Sequence, residues 1–342
     1  MTKTRTLLIA TTAAALACGT SAAMALEGVV TSIKPIHSLV AGVMEGVAEP
    51  ELIVTGSASP HTYSMRPSDA AKLQAAPLVF WVGPGLEAFL ADPLATLGAD
   101  ATVVALEETD GLTRLEYREG GAFESHGHAE AEHGAQTEDD HAHEGEHAQA
   151  EHDHEHDHEG HADHGHDHGG FDTHYWLDPE NAKAMVSVIA AELSEADPAN
   201  AGAYEANATD LTERLDALAA EVANQVAPVA DRPFIVFHDA YHYFEDRFGL
   251  EAAGAITINP ETPPSAARIA QLQARIAELG AVCVFSEPQF DPAIVDALTD
   301  GSDARAGVLD PEGAALADGP DLYFELIRAM GTSFADCLGG QS

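Results

Sequence analysis

Short apolar runs alternate with longer amphipathic stretches along most of this chain. Strands that are apolar on both faces and separated by helices are typical of parallel sheets covered by helices on both sides. Four such runs fall in each half of the chain, so the pattern predicts an α/β protein with two similar lobes, each a mostly parallel four-stranded sheet flanked by helices. The eight runs span residues 28–33, 51–55, 78–82, 102–106, 234–237, 253–257, 282–286 and 306–309.

The segment between the two sets of strands has a helical pattern. Residues 179–195 form one predicted helix, which ends before Pro198 because proline disfavours helical geometry in the residue that precedes it. Apolar side chains then recur at three- and four-residue steps through residues 199–226, most regularly from Leu211 onward. An unbroken helix of about 28 residues would be about 42 Å long and would join the lobes rigidly. A break near residues 206–208 would instead give two ordinary helices.

The N-terminus has the pattern of an export signal. Lys3 and Arg5 precede an apolar stretch, and small residues around Ala25 form a cleavage site. The apolar stretch is shorter than the roughly 20 residues that span a bilayer. The pattern predicts an exported protein that is cleaved near Ala25. Lipidation at Cys18 is the alternative, although the residues before Cys18 lack the usual branched side chain three places upstream.

An acidic, histidine-rich tract interrupts the first lobe. Between His126 and His168 lie fourteen of the 19 histidines, among Asp and Glu and without Lys or Arg. Imidazole and carboxylate are ligands for zinc, copper and nickel, so the composition predicts metal binding rather than a merely solvated linker. The scarcity of apolar residues predicts that the segment is disordered without metal. The auxiliary ligands of this tract are predicted to be His152, His154, His156, His158, His161, His164, His166 and His168.

The charge of the whole chain is strongly negative. Its 57 acidic and 15 basic residues give a formal charge of −42. Such a charge argues against nucleic acid and anionic membrane surfaces as partners and suits a protein that attracts cations. The predicted organisation is an export signal at 1–25, an N-terminal lobe at 26–196 with the tract inserted at 119–170, a linking helix at 197–227 and a C-terminal lobe at 228–342.

Three histidines outside the tract lie where strands end or a helix begins. His61 follows the second predicted strand, His174 precedes the helix that begins at residue 179, and His238 follows the fifth predicted strand. Ligands of open α/β sheets bind outside the carboxyl ends of the strands, so these residues are expected to converge between the lobes. Three imidazoles with a fourth oxygen ligand suit tetrahedral zinc.

The fourth ligand is less clearly indicated. Asp310 ends the last predicted strand and is the candidate carboxylate, although Asp310 followed by Pro311 is also an ordinary turn sequence. A water molecule is the alternative. His37 is expected to be a residue of a helix start, and His242 is expected to lie outside the set of ligands.

Two cysteines remain after cleavage of the signal. Cys283 lies in an apolar strand and Cys337 lies near the C-terminus. Two cysteines in an exported protein favour one disulfide, with two unpaired buried thiols as the alternative.

Several motifs of the chain resemble those of the metal-specific solute-binding proteins of bacterial ABC transporters, and most closely those of the zinc-uptake type. The resemblance covers essentially the whole chain after the signal, including the acidic tract. The features that carry it are residues 61–69 (HTYSMRPSD), 78–83 with 86–87, 174–179 (HYWLDP), 237–241 (FHDAY), 285–290 (FSEPQF) and 309–311 (LDP), together with the paired cysteines.

The resemblance implies one metal ion between two α/β lobes, with His61, His174 and His238 as zinc ligands. Manganese-binding relatives typically carry an acidic residue where this chain has His238, which favours zinc. Some members have a glutamate directly before the first histidine, but Pro60 stands there in this chain. The fourth ligand is therefore expected to be Asp310 or water. The implied protein is a periplasmic monomer that delivers Zn²⁺ to an ABC-transporter permease, with a periplasmic zinc chaperone as a second candidate partner.

Two other functions fit the same residues. Three histidines with an open position also describe a zinc hydrolase or hydratase. Glu287 and Asp239 would be the candidate acid or base by sequence position, although a structural role suits them equally. A zinc chaperone or adhesin without a permease would have the same fold. Copper and nickel remain alternative metals, because copper exceeds zinc in the general order of affinity. The sequence favours the zinc-binding transport protein over an enzyme.

Overall fold

The computed structural model describes residues 25–118, 123, 170–257, 264–280 and 282–340. The first of its two sheets consists of β1 (Val30–Thr31), β2 (Glu51–Leu52), β3 (Leu78–Trp81) and β4 (Thr102–Ala105), in the spatial order β2-β1-β3-β4. The second consists of β5 (Phe234–His238), β6 (Ala252–Thr257), β7 (Cys283–Ser286) and β8 (Arg305–Val308), in the order β6-β5-β7-β8.

All pairings between these strands are parallel, and the two sheets share one strand order. Each of the eight predicted apolar runs overlaps a strand, so the predicted fold of two similar α/β lobes is confirmed. The helices are α1 (Lys34–Val43), α2 (Pro67–Ala75), α3 (Ala88–Thr96), α4 (Pro179–Ala196), α5 (Ala201–Val226), α6 (His242–Phe248), α7 (Ala266–Leu279), α8 (Ala293–Thr299) and α9 (Leu322–Gly339).

The long helix that joins the lobes is α5, and it runs unbroken through residues 206–208. Its apolar stripe, which includes Leu211 and Leu218, is buried. Gly42 of α1 and Gly331 of α9 allow both lobes to approach α5 closely. A Cβ at Gly42 would lie 2.9 Å from the Leu211 side chain, and one at Gly331 would lie 3.1 Å from a methyl group of Val222. The long helix is therefore packed against both lobes.

The hydrophobic core is continuous across the boundary between the lobes. One cluster includes Phe80 of the first sheet, Leu215 of α5, Phe285 of the second sheet and Phe334 of α9. A smaller cluster fills the outer face of the second sheet, between that sheet and α7 and α8. Because one core serves both sheets, the lobes are expected to resist large relative movement.

The predicted disulfide is confirmed. Cys283 of β7 is bonded to Cys337 of α9, and their Cα atoms are 6.1 Å apart. Within the described ranges, no helix combines the length and apolar character needed to cross a bilayer. The export signal before Ala25 lies outside the described residues, as do Cys18 and the histidines between His126 and His168, including all eight predicted auxiliary ligands.

Candidate metal centre

The structure brings the three predicted histidines together between the lobes. One ligand atom from each of His61, His174 and His238 lies within 4.8 Å of the others. The ring centroids of His174 and His238 are 5.2 Å apart, and each is 5.5–5.6 Å from that of His61. The Nε2 atoms of His174 and His238 are 3.4 Å apart. Two nitrogens that each lie about 2.0–2.1 Å from one tetrahedral zinc ion are about 3.3 Å apart.

Each histidine is positioned by the local fold of its own segment. His238 is the last residue of β5, an inner strand of the second sheet, so its side chain lies at the carboxyl edge of that sheet. His174 precedes a 3-10 turn at Tyr175–Leu177, which leads into α4. His61 lies in the loop after β2, where its backbone N–H donates to the Ser59 hydroxyl.

Carboxylates hold two of the three imidazoles. His174 Nδ1 is 2.7 Å from Asp172 Oδ1, and His238 Nδ1 is 2.6 Å from Glu287 Oε1. The same oxygens accept the backbone N–H groups of His174 and His238, which fixes the carboxylates in place. An imidazole that donates from Nδ1 presents the lone pair of Nε2. Asp172 and Glu287 therefore orient both rings so that Nε2 faces the centre of the site.

Sequence reasoning missed this role of Asp172 and Glu287. Glu287 directly follows β7, which pairs in parallel with β5, so its position beside His238 follows from the strand order. From the sequence, Glu287 is a candidate catalytic group or a structural residue, with no partner indicated. Asp172 lies two residues before His174, a spacing that allows the carboxylate to accept from both the ring and the backbone of that histidine.

The electrostatic environment differs between the histidines. Burial lowers the pKa of His61 well below its usual value of 6.5, and the nearby rings of His174 and His238 lower it further. Burial also acts to lower the pKa of His238, but the charge and hydrogen bond of Glu287 outweigh it, and the net shift is upward. His61 is therefore neutral over the physiological range, as a metal ligand must be.

The space between the histidines is small. The cavity is about 10 Å³ in volume, which is close to the least that holds one water molecule. This volume accommodates one small ion or one water molecule. The lining consists of Ser59, Pro60, His61, His174, His238, Glu287, Gln289, Phe290, Pro311 and Glu312.

Asp310 is occupied by its own turn. Its carboxylate accepts the backbone N–H groups of Glu312, Gly313 and Ala314, and also the side-chain amide of Gln289 at 2.9 Å. It is not part of the group of ligand atoms that the three histidines form. Its role as the fourth ligand stays a prediction.

The other two histidines among the described residues lie on helices. His37, in the first turn of α1, has its Nε2 atom 3.1 Å from the carbonyl oxygen of Pro50. His242 is the first residue of α6.

Two parallel-sheet lobes, a long connecting helix and three imidazoles at the seam define a metal-binding solute-binding protein. The chain belongs to the family described as "ZnuA: Zinc-uptake complex component A periplasmic", whose sequence model matches residues 29–337. The resemblance seen in the motifs is thereby confirmed.

Proteins named as zinc-uptake components are close in sequence over nearly their full length. The "High-affinity zinc uptake system protein ZnuA" of Brucella abortus (strain 2308) is 56% identical over 321 residues, covering 94% of each chain. The protein of the same name from Paracoccus denitrificans (strain Pd 1222) is 44% identical over 329 residues, covering 95% of this chain and 97% of that one. A solved structure titled "Crystal structure of ZnuA" has a TM-score of 0.69 at 24% identity, covering 91% of this chain and 98% of that chain, and shows the shared fold.

Proposed function

We propose that this protein captures Zn²⁺ in the periplasm and delivers it to the membrane permease of an ABC importer. The observation that carries the proposal is the 3.4 Å separation of the His174 and His238 Nε2 atoms beside His61. That separation matches two ligands of one tetrahedral zinc ion. The names of relatives at 44% and 56% identity support zinc as the cargo.

The proposed ligands are His61, His174 and His238, with water as the fourth. Water is supported because the carboxylate of Asp310 already accepts three backbone N–H groups and the side-chain amide of Gln289. Asp310 is the alternative, and it would have to give up hydrogen bonds within its turn. Three nitrogen ligands favour zinc over manganese, which prefers oxygen.

A hydrolytic function is less well supported by the site. A zinc hydrolase needs room for its substrate and a placed acid or base. The cavity has a volume of about 10 Å³, and the carboxylate of Glu287 is already bonded to His238. Asp239, the other candidate acid or base, is paired with Arg118. These contacts favour binding and release of an ion over catalysis.

The cellular setting follows from membership of a periplasmic uptake family. We propose cleavage near Ala25, a monomeric mature protein, and a permease as the principal partner, with a periplasmic zinc chaperone as a second. The tract at 119–170 would gather zinc at high local concentration and pass it to the histidines, as a tethered weak binder can. Deletion of residues 120–169 should lower the zinc stoichiometry and slow transfer, and unchanged values would reject this role for the tract.

Competition calorimetry on the protein lacking residues 120–169 tests the zinc assignment. We expect one site that binds Zn²⁺ more tightly than Mn²⁺ and is lost in the His61→Ala variant. Tighter binding of Mn²⁺ than of Zn²⁺ would contradict the proposal. Cu²⁺ and Ni²⁺ belong in the same series, but tight Cu²⁺ binding alone would not contradict it, because copper exceeds zinc at most nitrogen sites.

A further inference from the structure

Arg118 ties the two lobes together close to the three histidines. Its guanidinium donates two hydrogen bonds to Asp239 and two to Glu245. The Nε–Oδ2 distance to Asp239 is 3.2 Å, and the Nη1–Oε2 distance to Glu245 is 2.7 Å. The planar fork of an arginine holds two carboxylates in a fixed geometry that a lysine does not reproduce. Because the Arg118 side chain is only 14% exposed, these ion pairs are weakly screened by solvent.

The two carboxylates lie on either side of the turn that follows His238. Asp239 directly follows His238 at the end of β5. Glu245 lies in α6 and also accepts the backbone N–H of Ala252 at the start of β6. Both carboxylates are buried, with side-chain exposures of 9% and 2%. Arg118 therefore fixes the β5–α6 turn from the opposite lobe.

The residues just before Arg118 are also hydrogen-bonded to Asp172, the carboxylate that orients the ring of His174. Leu115 accepts a hydrogen bond from the backbone N–H of Asp172. The Tyr243 hydroxyl donates to the carbonyl oxygen of Asp172 and accepts from the backbone N–H of Leu115. Asp172 in turn holds the ring of His174. Residues 115–118 thus connect Asp172, which orients His174, with the turn that follows His238 in the other lobe.

We propose that Arg118 is a positioning residue that keeps His238 in register with His61 and His174 and so sets how slowly zinc leaves the site. This inference rests on the proposed function. A tetrahedral site tolerates little displacement of its nitrogens, because each must lie about 2.0–2.1 Å from the ion. Loss of the Arg118 contacts would leave the β5–α6 turn, and His238 with it, free to move away from the N-terminal lobe.

Other contacts would keep the lobes joined when Arg118 is replaced. The Trp176 indole N–H donates to the carbonyl oxygen of Pro311. The Lys34 ammonium donates to the carbonyl oxygen of Leu316 and pairs with Asp318. Replacement of Arg118 is therefore expected to affect the geometry near His238 rather than the assembly of the lobes.

The release rate of zinc from the full-length protein tests this inference. Trp176 is fully buried, with its ring centroid 5.2 Å from that of His174, so its fluorescence is expected to respond to an ion at the histidines. All proteins in this test carry Trp81→Phe, so that Trp176 is the one tryptophan that emits. Zinc-loaded protein is mixed with excess chelator, and the phase that His61→Ala abolishes is assigned to the site. We expect Arg118→Met to release zinc at least tenfold faster than the wild type.

A second variant separates geometry from charge. Arg118→Met alone leaves two buried carboxylates unpaired and could fail to fold. The triple variant Arg118→Met/Asp239→Asn/Glu245→Gln removes those charges and should also release zinc at least tenfold faster. The matched control Arg247→Met/Asp178→Asn removes another ion pair between α6 and the N-terminal lobe. It should leave the release rate within twofold of the wild type.

Each result has a distinct meaning. Release by the triple variant at the wild-type rate would overturn the inference, because Arg118 would then only balance charge. Equal acceleration in the Arg247 control would also overturn it, because the effect would then be a general loosening of the lobes. If the wild type shows no zinc-dependent phase that His61→Ala removes, the proposed function fails instead.

Discussion

At the level of single residues, two carboxylates set the orientation of two of the three imidazoles. Asp172 and Glu287 are each hydrogen-bonded to the Nδ1 atom of a proposed ligand, whereas the described contacts of His61 include no such carboxylate. A carboxylate in this position fixes the ring and increases the basicity of the nitrogen that binds metal. We therefore propose that Asp172 and Glu287 contribute to the affinity for zinc by orienting the rings of His174 and His238.

Removal of either carboxylate charge should weaken zinc binding. We expect Asp172→Asn and Glu287→Gln each to lower the affinity for zinc by about 10–100-fold, because the ring loses its fixed orientation and basicity. The measurement is a zinc competition titration followed by Trp176 fluorescence. Asp197→Asn is the matched control, since Asp197 is also buried and bonded to Tyr204 but lies outside the group of proposed ligands. Wild-type affinity in both site variants would reject the assignment.

A buried glutamate away from the ligands makes stability depend on pH. Burial raises the pKa of Glu87 from 4.5 to about 7, although the backbone N–H groups of Val82 and Gly83 donate to its carboxylate. The unfolded chain loses this proton near pH 4.5, whereas the folded protein keeps it until about pH 7. The contribution of Glu87 to stability therefore falls as the pH rises from 4.5 to 7 and stays low above that.

The variant Glu87→Gln should remove this pH dependence. We expect it to be more stable than the wild type by up to about 3 kcal/mol at pH 8, with the difference shrinking towards pH 5. Urea unfolding of metal-free protein at both pH values measures the effect. A difference between variant and wild type that is independent of pH would show that the carboxyl of Glu87 is not held protonated.

At the level of elements, the apolar pattern predicted the strands because strands buried on both faces are continuous apolar runs. It predicted the long helix because one buried face gives apolar residues at three- and four-residue steps. The positions of the eight described strands follow from that pattern, whereas the sequence left open a break near residues 206–208 that the structure does not have. The convergence of His61, His174 and His238 was also predicted from the sequence, since parallel strands present their carboxyl ends at one edge of the sheet.

Contacts between distant segments could not be read in the same way. The pairing of Arg118 with Asp239 and Glu245 joins residues more than a hundred positions apart and depends on the packing of the lobes. The role of Asp310 was ambiguous for a local reason. Its side chain caps a local turn, and the sequence Asp-Pro allows that role as readily as metal binding.

The long helix should be a critical element of the single core. Leu215 of α5 is fully buried, so Leu215→Ala should destabilise the protein by about 2–5 kcal/mol and lower one cooperative transition rather than splitting it. The control Glu213→Ala changes an exposed position of the same helix and should have little effect. Urea unfolding followed by circular dichroism measures both. Two separate transitions in Leu215→Ala would contradict a core shared by the lobes.

For the whole molecule, we propose that the lobes defined at 26–196 and 228–342 act as one body around the metal. The core passes from the first sheet through α5 to the second sheet, and buried hydrogen bonds such as Tyr323 to Trp176 cross the seam. A protein built in this way is expected to release its ion by local movement near His238 rather than by wide opening of the lobes.

The distance between the lobes should therefore change little with zinc. Spin labels at the exposed positions Asp100 and Asp303, each replaced by Cys, report the separation of the two lobes. We expect the distance measured by electron paramagnetic resonance to shift by less than about 2 Å on zinc binding, the range of pre-organised binding proteins. A shift several times larger would refute the rigid account.

The most direct test of the central claim is anomalous diffraction at the zinc edge from crystals of the full chain with one equivalent of Zn²⁺. We expect one strong peak between the lobes, about 2.0–2.1 Å from the Nε2 atoms of His174 and His238 and from a ring nitrogen of His61. A peak bound by only one or two of these histidines, or located away from them, would contradict it.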